Sequence, residues 1–139
     1  MFRRDKSRDT NYQNKPSLRN IPTFRGTSDP DTYCDWENKI DDMFDKHYDR
    51  EKCLLAIKCF TNHAASWWNR LVKDRQFYYK QQIESWEELK QIMRNKYFPK
   101  GYYRKNERKF QQLKQGSMSV EEYYNTMRVL MNRAYIFEE

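Results

Sequence analysis

From about residue 30 to residue 136, apolar side chains recur at spacings of three and four, and no stretch alternates strictly between apolar and polar. A period near 3.6 residues marks helices with one buried face, whereas strands would show a period of two. The chain is therefore expected to be all-α. Its turn content agrees. With 3 Gly and 4 Pro in 139 residues, it lacks the many turns of a sandwich or barrel and the glycines of a phosphate-binding loop. A mean hydropathy of −1.25 and 34% charged residues resemble a disordered composition. The 17% aromatic content opposes that, because Trp, Tyr and Phe supply the apolar area a core needs.

Six helices can be placed by their stripes and caps. Ile21-Pro22-Thr23-Phe24-Arg25-Gly26 reads as extended, and Ser28 or Asp29 with Pro30 opens a helix of about 30–47. Its stripe is Tyr33, Trp36, Ile40, Met43, Phe44 and His47, with His47 in the last turn. Asp49 is expected to cap a second helix, about 50–61, with Cys53, Leu54, Ile57 and Phe60 inward. A third, about 62–75, carries Ala64, Ala65, Trp67, Trp68, Leu71 and Val72, and 76–84 reads as a loop. Ser85 and Glu88 form an S-x-x-E capping box before Trp86, Leu89, Ile92, Met93 and Tyr97. Pro99 and Gly101 end that helix. A fifth, about 102–115, carries Tyr103, Phe110 and Leu113, with Gly116 as its C-cap. A second box, Ser119 with Glu122, opens the most regular stripe: Val120, Tyr123, Met127, Leu130, Met131 and Ala134. The expected core is Phe24, Tyr33, Trp36, Ile40, Phe44, Leu54, Ile57, Phe60, Trp67, Trp68, Leu71, Trp86, Leu89 and Met93.

Residues 1–20 carry no apolar period and six basic against two acidic residues, so they read as a disordered basic arm. Cys34, Cys53 and Cys59 form no C-x-x-C pair, and His47 and His63 stand apart. Reduced structural thiols are expected, with no metal and no cofactor. Asp41-Asp42 and Glu87-Glu88 are neighbours about 100° apart on their helices, so neither pair converges on one substrate atom. No catalytic motif is present, and no enzyme activity or small-molecule substrate is expected. No apolar run approaches the roughly 20 residues of a membrane span. The expected location is intracellular, cytoplasmic or else nuclear.

One charge cluster stands out. Arg94, Lys96, Lys100, Arg104, Lys105, Arg108 and Lys109 lie within sixteen residues, interleaved with Tyr97, Phe98, Tyr102 and Tyr103. With Arg3 and Arg4 of the arm, they are candidate nucleic-acid contacts, since bases stack on aromatics while cations meet phosphates.

The order of landmarks resembles the Gag capsid region of Ty3/gypsy-type LTR retrotransposons, in particular plant retrotransposon gag domain proteins. The residues carrying it are Ile21-Pro22-x-Phe24-x-Gly26, Asp29-Pro30-Asp31-x-Tyr33-x-x-Trp36, Ala64-Ala65-x-Trp67-Trp68 and Ser85-Trp86-Glu87-Glu88-Leu89-Lys90. Phe98-Pro99 and Gln115-Gly116-Ser117-Met118-Ser119-Val120-Glu121-Glu122-Tyr123-Tyr124 complete the set, which spans about 21–137. The resemblance implies a capsid-type N-terminal lobe over 21–99 and the first helices of a second, dimerising lobe over 100–139, truncated within that lobe. It implies a structural protein that associates with itself, through Val120, Tyr123, Met127, Leu130 and Met131, around RNA. Two readings stay open beside it: an electrostatic nucleic-acid-binding module without assembly, and a degenerate Gag fragment with no present function.

Overall fold

A computed structural model describes residues 21–135, the side chain of Tyr135 excepted. Six helices follow one another: α1 Pro30–Met43, α2 Asp49–Lys58, α3 Asn62–Phe77, α4 Trp86–Tyr97, α5 Tyr102–Gln111 and α6 Val120–Tyr135. The all-α expectation holds among the described residues, whose only β feature is a single parallel bridge between Phe24 and Phe60.

That bridge organises the first four helices. Phe24 N–H donates to Cys59 O and Thr61 N–H to Phe24 O, each at 2.9 Å, and Ala64 N–H reaches Arg25 O at 3.1 Å. The extended lead-in therefore lies across the α2–α3 junction. Gly26 makes the crossing possible: its φ is +83°, and a Cβ there would stand 2.6 Å from Ala64 N. Behind the lead-in, Phe24, Tyr33, Trp36, Ile40, Phe44, Cys53, Ala56, Phe60, Ile83, Trp86, Leu89 and Met93 form one buried core. Aromatic rings meet mostly edge to face, as their quadrupoles prefer. Phe24 packs against Trp36 with centroids 5.2 Å apart and against Tyr97 at 4.9 Å. Ile57, Trp67, Trp68 and Leu71 are half-buried at its margin.

Several local expectations are corrected. Leu54 is 47% exposed. The inward face of α2 is Cys53, Ala56 and Phe60, and Leu54 stands about 100° round from Cys53. Asp49 is the first residue of α2, not its cap; its Oδ2 accepts from Trp86 N–H at 2.9 Å and so caps α4 across the bundle. Helix α1 stops at Met43 because Phe44 leaves helical geometry (φ −118°, ψ 28°) to bury its ring, and His47 packs on that ring from outside the helix. Helix α3 runs on to Phe77, and Arg75 holds the following loop by donating to Gln81 O at 2.8 Å. Helix α5 ends at Gln111, so Gly116 belongs to the next turn, where Met118 N–H donates to Gln115 O at 2.9 Å. The serine half of each box forms: Ser85 Oγ accepts from Glu88 N–H at 3.2 Å and Ser119 Oγ from Glu122 N–H at 3.0 Å. Asp29 caps α1, accepting from Asp31 N–H at 3.0 Å.

Helices α5 and α6 pair as a hairpin that leans on α1. Tyr102 Oη donates to Asp31 Oδ1 at 2.8 Å, and Arg133 reaches Asp35 at 3.1 Å and Asp31 at 3.6 Å. Leu130 and Ala134 are buried.

Candidate self-association and nucleic-acid surfaces

Opposite charges on two apolar stripes make a fully buried polar site among the described residues. Glu37 falls on the Tyr33–Ile40 stripe of α1, and Arg94 on the Leu89–Met93 stripe of α4. Both are buried, at 1% and 5% exposure. Arg94 Nε donates to Glu37 Oε1 at 2.9 Å and its terminal nitrogen to Oε2 at 2.8 Å; Tyr33 Oη donates to Oε1 at 2.6 Å. Such a bidentate fork is among the stronger polar contacts a protein makes. Burial pushes the Glu37 carboxyl above the usual carboxylate range, while Arg94 and Tyr33 pull it back. Burial opposes the charge of Arg94, but Glu37 outweighs it and holds the guanidinium protonated. One turn earlier, Lys90 is buried between Asp41 (3.7 Å) and Glu87 (2.7 Å), and the Trp86 indole N–H donates to Asp41 at 2.7 Å.

Arg94 is thereby removed from the candidate nucleic-acid contacts: its fork is turned into the core. Sequence reasoning singles out neither Glu37 nor Lys90. The available signal is their register, a charge where the 3.6-residue period requires an apolar side chain.

The other cations of the described cluster do reach the surface. Tyr102 and Asn106, four residues apart, form the buried face of α5, and Asn106 Nδ2 donates to Tyr102 O at 2.9 Å. This leaves Arg104, Lys105, Arg108 and Lys109 exposed, with Lys100 just ahead of the helix. Lys96 is exposed too, its ammonium 5.7 Å from the Trp67 ring centre and 5.5 Å from that of Tyr97. Arg3 and Arg4, like the whole basic arm, lie outside the described residues.

On α6 the stripe divides. Leu130 is buried within the chain and cannot meet a partner while the hairpin stays docked, so it leaves the self-association set. Tyr123, Met127 and Met131 are half-buried. Val120 at 73% and Tyr124 at 55%, one turn apart, are largely open. At the docked end, burial opposes the charge of Arg133, yet Asp35 and Asp31 outweigh it and raise its pKa. Burial, then Cys34 and Asp31, pushes the Tyr102 phenol well above its ordinary range.

Cys34, Cys53 and Cys59 are free and buried, as expected of structural thiols. Burial, the first cause in each, pushes Cys34 up to about 12 and Cys53 and Cys59 each to about 11. Among the described residues, no group of three His, Cys, Asp or Glu side chains converges as metal ligands would, and no helix is long and apolar enough to cross a membrane.

Comparison with known families gives a match over the first four helices. The family described as retrotransposon-derived protein PEG10, N-terminal capsid-like domain, matches residues 18–98, more than half of the chain. No curated protein and no solved structure matches significantly.

Proposed function

The chain belongs to the retrotransposon-derived PEG10 N-terminal capsid-like domain family, and from that premise we propose that it is a non-enzymatic capsid-type protein that associates with itself through α6. Capsid-like Gag domains are structural, and the fold here is one of them. The observation that carries self-association is the open edge of α6: Val120 and Tyr124 stand in solvent beside the half-buried Tyr123, Met127 and Met131. Large contiguous exposed apolar patches mark interaction sites, and the reading takes these five side chains as one such patch. This reading takes Pro99-Lys100-Gly101, between the end of α4 and the left-handed Gly101 (φ +83°) that precedes α5, as the boundary between two lobes. The Ty3/gypsy, plant-like origin rests on the ordered landmarks from Ile21-Pro22 to Tyr123-Tyr124. A cytoplasmic or nuclear location accompanies this reading.

Sedimentation equilibrium across the micromolar range tests it. The wild-type mass should rise with concentration and resist salt. Val120→Glu with Tyr124→Glu, both at exposed positions, should shift the protein to monomer with helicity intact. A wild type that stays monomeric at high micromolar concentration refutes the reading.

A second reading is favoured by the exposed cations Lys96, Lys100, Arg104, Lys105, Arg108 and Lys109: the capsid-like unit contacts RNA electrostatically. Its binding should then fall steeply with salt as counterions are released.

A further inference from the structure

A cleft of about 590 Å³ opens between the Gly26–Ser28 turn, α3 and the end of α4. That lies within the roughly 300–1,000 Å³ of sites that enclose small ligands. Its walls divide by chemistry. Trp67 and Tyr97 meet at a steep corner of aromatic surface, with ring centres 6.0 Å apart and planes at 74°. Arg70 and Lys96 border the same space, both exposed. No carboxylate lines the cleft, and among the described residues none pairs with either cation. Lys96 holds its ammonium over the faces of both rings, so charge and stacking surface occur at one place, and a base entering there takes the ring face as the flexible Lys96 stem swings its charge to the phosphate.

The cleft also continues. A second hollow of about 360 Å³ shares Pro30 and Pro99 with it and is lined by Lys100, Lys105 and Lys109. The two carboxylates there are already engaged. Asp29 caps α1, and Asp31 accepts from Tyr102 and pairs with Arg133. A track of five cations thus crosses the α4–α5 junction, with an aromatic corner at one end.

We propose that the cleft takes one nucleotide of single-stranded RNA: the base lies against Trp67 and Tyr97, the adjoining phosphates meet Arg70 and Lys96, and the strand runs over Pro99 to Lys100, Lys105 and Lys109. This rests on the RNA contact put forward above and gives it an address. A basic groove with aromatic side chains is the combination that holds single strands without sequence readout. A duplex offers phosphates and shallow-groove edges but no free base to enter a cleft of this size. An acidic peptide could satisfy the cations but would leave the aromatic corner unused. Arg70 is outside the cluster of 94–109, and only the fold brings it to Lys96.

The test uses the full chain and a fluorescein-labelled single-stranded RNA of about 12 nucleotides, inside the usual site sizes of single-strand binders. Arg70→Glu with Lys96→Glu should weaken binding at least tenfold and lower the salt slope by roughly 0.7 for each phosphate no longer neutralised. Arg104→Glu with Arg108→Glu, outside the track, should have the smaller effect. RNA should quench part of the tryptophan fluorescence, and Trp67→Phe should remove that quenching while binding persists. If the Arg70/Lys96 variant binds like wild type while the Arg104/Arg108 variant fails, the cleft is refuted and the electrostatic reading stands. If wild type binds no RNA at low salt, both fall. Equal affinity for a duplex, or displacement of the RNA by an equimolar acidic peptide, also refutes the nucleotide site.

Discussion

Replacing Arg94 with methionine separates a structural role from a surface role for this cation. In the structure the side chain is buried, with two short contacts to a carboxylate that is itself buried. Removing one partner of such a pair leaves the other charge without compensation, at a cost of roughly 3–5 kcal/mol. For a domain near 100 residues that is a fall in Tm of more than about 10 °C. The deficit should depend on pH, with a sign fixed by Glu37. Burial already raises its folded pKa, and without Arg94 only the Tyr33 hydroxyl and the more distant Lys90 charge oppose that push. A carboxyl with a raised folded pKa supports the fold fully below its unfolded value. That support is lost as pH rises towards the folded value, by up to about 1.4 kcal/mol per pH unit. Arg94→Met should therefore lie furthest below wild type at pH 7.5 and recover much of the gap at pH 4.5. Urea unfolding followed by tryptophan fluorescence at the two pH values measures this, and Glu37→Leu with Arg94→Met should regain most of the lost stability. Near wild-type stability in the single variant, or a gap that ignores pH, refutes the buried fork. So would a single variant that alters only the salt dependence of RNA binding.

Gly26→Ala must place a Cβ 2.6 Å from Ala64 N at φ +83°, whereas Gly101→Ala meets only the same backbone strain, with nothing within 4 Å. Thermal melts should show a loss of about 1–2 kcal/mol for Gly101→Ala and a clearly larger one for Gly26→Ala; equal losses would mean the lead-in does not press on α3. The three thiols are raised in the fold, to about 12 for Cys34 and about 11 for Cys53 and Cys59. Their support is complete below the ordinary thiol pKa and is lost as pH climbs towards those values, so stability should fall above about pH 8.5. Cys53→Ala should flatten that fall by up to one proton's worth, which denaturation at stepped alkaline pH would read directly.

What was legible in the sequence was local. A capping box needs only four residues, so Ser85 and Ser119 could be identified without any knowledge of their surroundings. The Tyr33–Trp36–Ile40 stripe is a property of one helix. What was not legible depends on pairings across the chain. Glu37 and Arg94 are 57 residues apart, and composition alone counts Arg94 as one more surface base. Asp49 looks like a cap for its own helix, and only the packing of α2 beside α4 turns it towards Trp86. Helix α2 is ten residues with apolar side chains on several sides. Its period therefore did not say whether Leu54 or Ala56 faces inward, and burial of Phe60 beside Phe24 decides it. The cleft was invisible for the same reason, since Gly26, Arg70 and Lys96 come from three separate segments.

The docking of α5 and α6 changes how their apolar residues must be understood. Read alone, the stripe from Val120 to Ala134 is one continuous face awaiting a partner. In the fold, its C-terminal half is used internally, with Leu130 and Ala134 buried, while Arg133 ties the helix end to Asp31 and Asp35. Those ion pairs are partly exposed and each contributes at most about 1 kcal/mol, so the buried apolar surface must carry most of the docking. The N-terminal half, around Val120 and Tyr124, lies at the far end from that anchor and has no such cover. A contact there can join two chains without undocking the hairpin or disturbing the Trp-rich core. Association through this edge then calls for a fold that is already complete in each chain, which is why charges placed at Val120 and Tyr124 should change mass without changing helicity.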